Sequence, residues 1–322
     1  MAEEWSAEVA RKSLLDHEAP PLGFDFAAAS RRERLRYGYP AEPDRQNQPL
    51  LWAKWERNLH RPWQLVVPEY HLQPARLLPG PVPVGNGTSS NWSGAVATPP
   101  GSAGFSIVSG TWTVPDAFPP PSAANGSGGY NDGLYNVLEW VGIGGDIGAG
   151  SANLLQLGTG TDVNVVNGVI SSVTTYAWFE WFNSAADNGY TRVGGFTVAP
   201  GDLVEVSVCA GNNDTSGAAI IGNVTRNKYT STGINPPASN LTLIGNTAEW
   251  IVEREGFTSG GLSTLADYGA VFFSDCLASG SGFEVNLSGT GLLNMVSGSA
   301  TVSTALDVSA TVLECYYGTS QP

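Results

Sequence analysis

The chain has 322 residues, enough for one large or two ordinary domains, and a formal net charge of −14. The charge is unevenly placed: residues 1–88 hold 11 Lys+Arg and 11 Asp+Glu, which leaves 4 basic against 18 acidic residues in 89–322. A segment so acidic lacks the clustered cations that phosphate or anionic lipid requires, which excludes nucleic acid and membrane surfaces as partners.

Residues 3–16 and 28–37 read as short amphipathic helices, and a third is predicted over 48–59, where Leu51, Trp55 and Leu59 fall on one stripe. Residues 1–24 contain no apolar core of a secretory signal, and no stretch of the chain reaches transmembrane length. Residues 1–73 are therefore expected to form a helical N-terminal segment, and 74–90, rich in Pro, Gly and Ser, a linker. The cations of that segment, among them Arg31, Arg32, Arg34 and Arg36, beside a strongly acidic neighbour, suggest an inhibitory pro-segment released in acid.

From Asn91 onward the pattern changes to short runs of Val, Ile, Thr and aromatics between Gly, Asn, Pro and Ser clusters, the spacing of an all-β sandwich or barrel. Strands are predicted at 105–114, 137–143, 153–158, 172–182, 203–210, 218–223, 247–252, 269–274 and 310–317. In 176–182, alternation puts Tyr176, Trp178 and Glu180 on one face and Phe179 and Trp181 on the other. The first face suits the floor of a cleft; an ordinary core strand with an edge glutamate reads the same way.

All three histidines, His17, His60 and His71, lie before residue 89. A Ser-His-Asp triad, a Cys-His pair or a zinc helix therefore cannot be assembled from 91–322 alone. The cysteines Cys209, Cys276 and Cys315 include no C-x-x-C pair; one disulfide with a free thiol and three buried thiols are both open. Crowded carboxylates with few cations should take protons more readily in the folded than in the unfolded chain, so folding is expected to be favoured in acid.

Two isolated polar residues interrupt apolar strands, Gln156 after Leu154-Leu155 and Glu249 between Ala248 and Trp250. Their flanks occur in a fixed order: Asn91-Trp92-Ser93-Gly94, Trp140-Val141-Gly142-Ile143-Gly144-Gly145-Asp146, Leu155-Gln156-Leu157-Gly158, Tyr176-Ala177-Trp178-Phe179-Glu180-Trp181, Pro200-Gly201-Asp202, Ala248-Glu249-Trp250-Ile251-Val252-Glu253 and Ala266-Asp267-Tyr268-Gly269. This set resembles the glutamic peptidases, or eqolisins, well over 91–274 and loosely beyond.

The resemblance implies a mainly β fold, a two-sheet antiparallel β-sandwich similar to legume lectins, with Gln156 and Glu249 as the catalytic pair. It implies an acid-acting endopeptidase in which the glutamate is general base toward water and the glutamine stabilises the oxyanion, with no cofactor and no metal. Trp140, Trp178 and Glu180 match positions that line the cleft, the last as a supporting carboxylate. A polypeptide substrate, a monomer and an extracellular location are the accompanying expectations. Glu253 and Glu255 are read as structural or solvated. This chain departs from the pattern at Gly144, where an acid is usual, in a longer stretch after Asp146, and at 183–187.

The competing reading is a carbohydrate-active or carbohydrate-binding sandwich, in which Glu180 and Glu249 would have to stand about 5–5.5 Å apart for retaining hydrolysis. A non-catalytic binding module is the third; turnover of an unfolded protein in acid separates it from both enzymes.

Overall fold

A computed structural model describes residues 14–15, 20–21, 23–73, 86–145, 153–183, 189–211, 214–256 and 261–321. Its strands in chain order are β1 (Leu14–Leu15), β2 (Gln64–Leu65), β3 (Glu69–Leu72), β4 (Gly87–Ser89), β5 (Trp92–Ala97), β6 (Phe105–Thr113), β7 (Gly133–Gly144), β8 (Asn153–Val166), β9 (Val169–Asn183) and β10 (Thr191–Gly194). They continue with β11 (Leu203–Ala210), β12 (Gly217–Asn223), β13 (Lys228–Ile234), β14 (Ala248–Glu253), β15 (Thr264–Leu265), β16 (Ala270–Gly280), β17 (Phe283–Val285), β18 (Gly291–Ser297), β19 (Ala300–Ser309) and β20 (Val312–Tyr317).

Two antiparallel sheets form the sandwich that the sequence predicts. The first runs β13–β12–β11–β6–β16–β17. The second runs β3–β10–β9–β8–β7–β14–β5–β18–β19–β20–β16. β16 belongs to both: its first four residues pair with β20, and from Ser274 it pairs with β6, with a register shift between Ser274 and Leu277 at which Asp275 takes φ 48°. Such a bulge re-aims a strand, and here it closes one side of the sandwich.

Alternation sorts the second sheet cleanly. Val141, Leu155, Leu157, Phe179, Trp181, Trp250 and Val252 point inward to meet Val108, Trp112, Val206 and Ile221 of the first sheet. Two of the inward tryptophans also bond across the sandwich, Trp250 Nε1 donating to Ser109 O (2.8 Å) and Trp112 Nε1 to Thr159 Oγ1 (2.9 Å). On the outer face, Trp92, Leu138, Trp140, Leu154, Tyr176, Trp178, Phe182, Tyr190 and Ile251 form a second buried cluster. Both faces of Tyr176–Phe182 are thus covered, as the alternation requires.

The β8–β9 hairpin turns at Asn167 and Gly168, both at positive φ (54° and 79°), the Asn-Gly signature of a two-residue hairpin turn. Ser171 is an extra residue on β9, because Val165 pairs with Ile170 while Asn164 pairs with Ser172. Ser171 Oγ donates to Asn164 O (3.0 Å) at that bulge. Beyond it the register brings Gln156 opposite Glu180.

The N-terminal segment packs on the outer side of the first sheet. Its helices are Arg31–Arg36, capped by a reciprocal Ser30–Glu33 box, and Pro49–Leu59. Trp55 and Leu59 of the predicted stripe, with Phe26 and Tyr39, bury against Ile220 and Tyr229. Of the predicted 3–16 helix, residues 3–13 and 16 lie outside the described residues, and Leu14–Leu15 pair with β13 as a strand, completing an open sheet edge. The chain then adds β2 parallel to β13 and β3 antiparallel to β10, so the segment touches both sheets. Most of the predicted linker lies outside the described residues, but Gly87–Ser89 pairs with β18.

Arg34 lies over Trp55 and Arg36 over Tyr37, within the segment itself, and Arg31 and Arg32 are exposed. Charge crosses the boundary through Arg57–Asp275 (2.8 Å), Arg61–Glu205 (3.2 Å) and the buried Lys54, which donates to Thr111 Oγ1 (3.1 Å). The reason is position: the buried stripe of Pro49–Leu59 carries its neighbours Lys54 and Arg57 onto the sheet. Cys209, Cys276 and Cys315 are free thiols, the last two buried.

Candidate active site

The outer face of the second sheet collects every polar residue singled out from its apolar strands. Glu249 on β14 stands opposite Gly142 on β7. Gly142 stands opposite Gln156 on β8, and Gln156 opposite Glu180 on β9. The four residues Glu249, Gly142, Gln156 and Glu180 therefore form one cross-strand row. At a strand spacing of about 4.8 Å, the Cα atoms of Glu249 and Gln156 are about 10 Å apart, with only a glycine between them.

That glycine determines what the row can do. A Cβ built on Gly142 would lie 2.8 Å from Leu154 Cδ1, 2.9 Å from Trp140 Cζ3 and 3.3 Å from Glu249 Oε2. The Glu249 carboxylate thus leans over Gly142, toward Gln156, and any side chain at 142 would fill the notch between them. Glu249, Gln156 and Glu180 are 1%, 2% and 4% exposed, so their charges and dipoles act in a low-dielectric setting. Gln156 Nε2 donates to Glu180 Oε2 (2.7 Å), which orients the amide and leaves its second N–H for another acceptor.

Trp140 on β7 and Trp178 on β9, fully buried, flank Gly158 of β8 one row away. Trp178 Nε1 donates to Thr159 O (3.0 Å), and its ring meets Tyr190 edge-on at 5.9 Å. Trp140 Nε1 donates to Glu253 Oε2 (2.7 Å), and Asn91 Nδ2 to Glu253 Oε1 (3.1 Å). Glu253 is thus buried and bonded, on the structural side of its reading and not the solvated side. Glu255 is bonded as well, to Asn136 Nδ2 (2.6 Å).

Sequence reasoning missed several residues of this face. Gly142 was visible only as part of a motif. The Asn91–Glu253 bond joins residues 162 apart in the chain, and only the ordered motif set hinted at it. Arg192 carries no local signal; its guanidinium lies 3.6 Å over the Tyr176 ring and pairs with Asp162 (2.5 Å).

The missing acid at Gly144 has a steric reason. Its φ is +87°, and a Cβ there would come within 2.2 Å of Asn153 O, so no L side chain fits this backbone. Asp146 and 184–187 lie outside the described residues. Among the described residues, no group of three or more His, Cys, Asp or Glu is arranged to hold a metal ion.

The peptidase A4 family pattern matches residues 90–317. Aspergillopepsin-2 of Aspergillus niger is 32% identical over 210 residues, covering 61% of this chain and 67% of the relative. Scytalidopepsin B of Scytalidium lignicola is 30% identical over 234 residues, covering 71% and 78%. A crystal structure of scytalido-glutamic peptidase with a peptide-based transition-state analogue superposes with a TM-score of 0.54 at 27% identity, covering 71% of this chain and 98% of that one. With the family pattern spanning nearly all of the sandwich, the chain belongs to the peptidase A4 family and is a glutamic-type peptidase.

Proposed function

We propose that the protein is an endopeptidase that cleaves polypeptides in acid, with Glu249 as general base and Gln156 as oxyanion donor. The observation that carries this reading is the row itself: a buried carboxylate and a buried, oriented amide face each other across a glycine notch. The Glu249 carboxylate takes a proton from a water whose oxygen attacks the scissile carbonyl carbon. The second N–H of Gln156 Nε2 stabilises the resulting oxyanion. The tetrahedral intermediate collapses as Glu249 returns the proton to the amine nitrogen, giving a carboxylic acid and an amine. An amide donates at any pH, so this oxyanion site survives conditions that would protonate other groups. Glu180 holds the amide, while Trp140 and Trp178 are apolar walls for the substrate chain. The peptide-based analogue held by the scytalido-glutamic peptidase supports a polypeptide substrate.

The register weighs against a retaining glycosidase. Glu180 and Glu249 are three strand spacings apart, about 14 Å between Cα atoms, and Glu180 is engaged by Gln156, whereas retaining carboxylates stand about 5–5.5 Å apart. The test is turnover of denatured casein between about pH 2 and pH 7 by the intact protein and by Glu249→Gln. Equal turnover by the folded variant removes the assignment.

Residues 1–73 are proposed as an inhibitory segment that docks on the first sheet through its aromatic cluster, Lys54, Arg57 and Arg61. β3 supports this reading, because it extends the catalytic sheet at β10 and Gln73 N continues the ladder to Tyr190 O (2.8 Å). The helices themselves cover the opposite sheet, so inhibition would act from the β3 side.

A further inference from the structure

Resting on the assignment of Gln156 and Glu249, we propose that Glu253 is a positioning residue for the catalytic row and acts through the Trp140 indole. Glu253 follows Glu249 by four residues on the same face of β14, about 13 Å away at strand rise, too far to exchange a proton with it directly. Its two oxygens instead receive two buried donors from the strands on either side, Trp140 Nε1 from β7 and Asn91 Nδ2 from the entry to β5.

The indole spans the distance that the carboxylate cannot. In the ladder Trp140 is opposite Ile251, midway between Glu253 and Glu249, and Gly142 is opposite Glu249. Its nitrogen edge is tied to Glu253, and its six-membered ring reaches the notch over Gly142, where Cζ3 is 2.9 Å from the position of a Cβ. Glu249 Oε2 is 3.3 Å from that same point. Trp92 meets the indole edge-on at 4.9 Å and blocks the other side. A rotation of Trp140 would therefore move an aromatic edge into or out of the space beside the Glu249 carboxylate. The Nε1 bond to Glu253 is the directional contact that prevents it.

A carboxylate is required because both facing groups are donors. Glutamine at 253 would offer one acceptor oxygen and place an N–H against the second donor; leucine would leave both donors unbonded. The same geometry explains why Asn91 and Trp92 belong with residues 140 and 253: one holds the carboxylate and the other the ring.

The test uses the full chain with a chromogenic peptide at acid pH, reading kcat and KM separately, with near-ultraviolet circular dichroism and thermal melting at the assay pH as controls. Glu253→Gln is expected to lower kcat about tenfold or more while KM moves by less than about threefold. Should that variant not fold, Trp140→Phe removes the donor together with the ring edge at the notch, and a fall in kcat at least as large is expected. Combined in one chain, the two changes should cost little more than the larger alone, because both cut one link. Unchanged kcat in folded Glu253→Gln or in Trp140→Phe, or losses that multiply in the double variant, would overturn the proposal. Glu249→Gln run alongside keeps the two failures apart: if it too retains activity, the assignment of the pair falls instead.

Discussion

Gln156 and Glu180 face each other across β8 and β9, and the Gln156 amide nitrogen donates to Glu180 Oε2 over 2.7 Å. The bond decides which end of the amide is available, since a free glutamine could present oxygen to a developing oxyanion as easily as nitrogen. Gln156→Ala is expected to lower kcat by on the order of a hundredfold or more, and Glu249→Gln to abolish turnover. Glu180→Ala should fall between them and wild type, because the amide survives but loses its orientation. Single-turnover kinetics on the three folded variants gives the order directly; a Glu180→Ala loss exceeding that of Gln156→Ala would contradict the supporting role.

A methyl group at position 142 probes the notch. Gly142→Ala would force Leu154 and Trp140 aside by a few tenths of an ångström at a cost of about 1–3 kcal/mol, and would occupy the space beside Glu249 Oε2. The expected result is a folded protein with little or no activity. Full activity would mean that the reacting groups do not meet over this glycine.

Glu139 predicts how stability responds to alkali. It lies on the inward face of β7, where burial pushes its carboxyl up to about 8 despite the hydrogen bond that Oε2 accepts from Thr159 Oγ1 (2.7 Å). Because the folded value lies above the ordinary 4.5, the folded chain holds a proton that the unfolded chain has lost. Its contribution to stability is complete below about pH 4.5 and is lost as pH rises toward 8. The total is on the order of several kcal/mol. Glu139→Gln should flatten the decline between pH 5 and pH 8 in chemical denaturation; an unchanged slope would place the alkaline sensitivity elsewhere.

The N-terminal segment is expected to respond more to loss of aromatic burial than to loss of charge. Arg57 and Asp275 are both largely exposed, so Arg57→Ala should cost less than about 1 kcal/mol, whereas Trp55→Ala should cost about 3–5 kcal/mol of docking. Acid removes only the ion-pair share of that attraction. Mass spectrometry before and after acid incubation, paired with a peptidase assay, tests the inhibitory role: full activity with Met1 still attached would end it.

The sandwich and the strands around Gln156 and Glu249 were legible because alternation, Gly and Asn turns and isolated polar residues are local signals. The helix over 48–59 was legible from its stripe. Strands β10, β13, β18 and β19 were not, being short or rich in Ser, Thr and Gly, with pairing partners set by the whole sheet. The Glu180–Gln156 bond depends on register, and the Asn91–Glu253–Trp140 connection on three strands meeting, so neither can be read from spacing. The charged contacts at that boundary show the limit of counting charge: total charge says that two parts attract, while the buried face of Pro49–Leu59 carries Lys54 and Arg57 to the partner.

Ser171 makes the active face depend on parity. Were Ser171 paired in the ladder instead of standing out as a bulge, the Asn167–Gly168 turn would set Gln156 against Phe179, and the far half of β9 would turn its core side outward. Tyr176, Trp178 and Glu180 would then be pressed into the apolar interior. The bulge is therefore the point at which the β8–β9 arm can absorb a change of one residue: deletion of Ser171, nine residues before Glu180, should leave a regular hairpin with Gln156 still opposite Glu180.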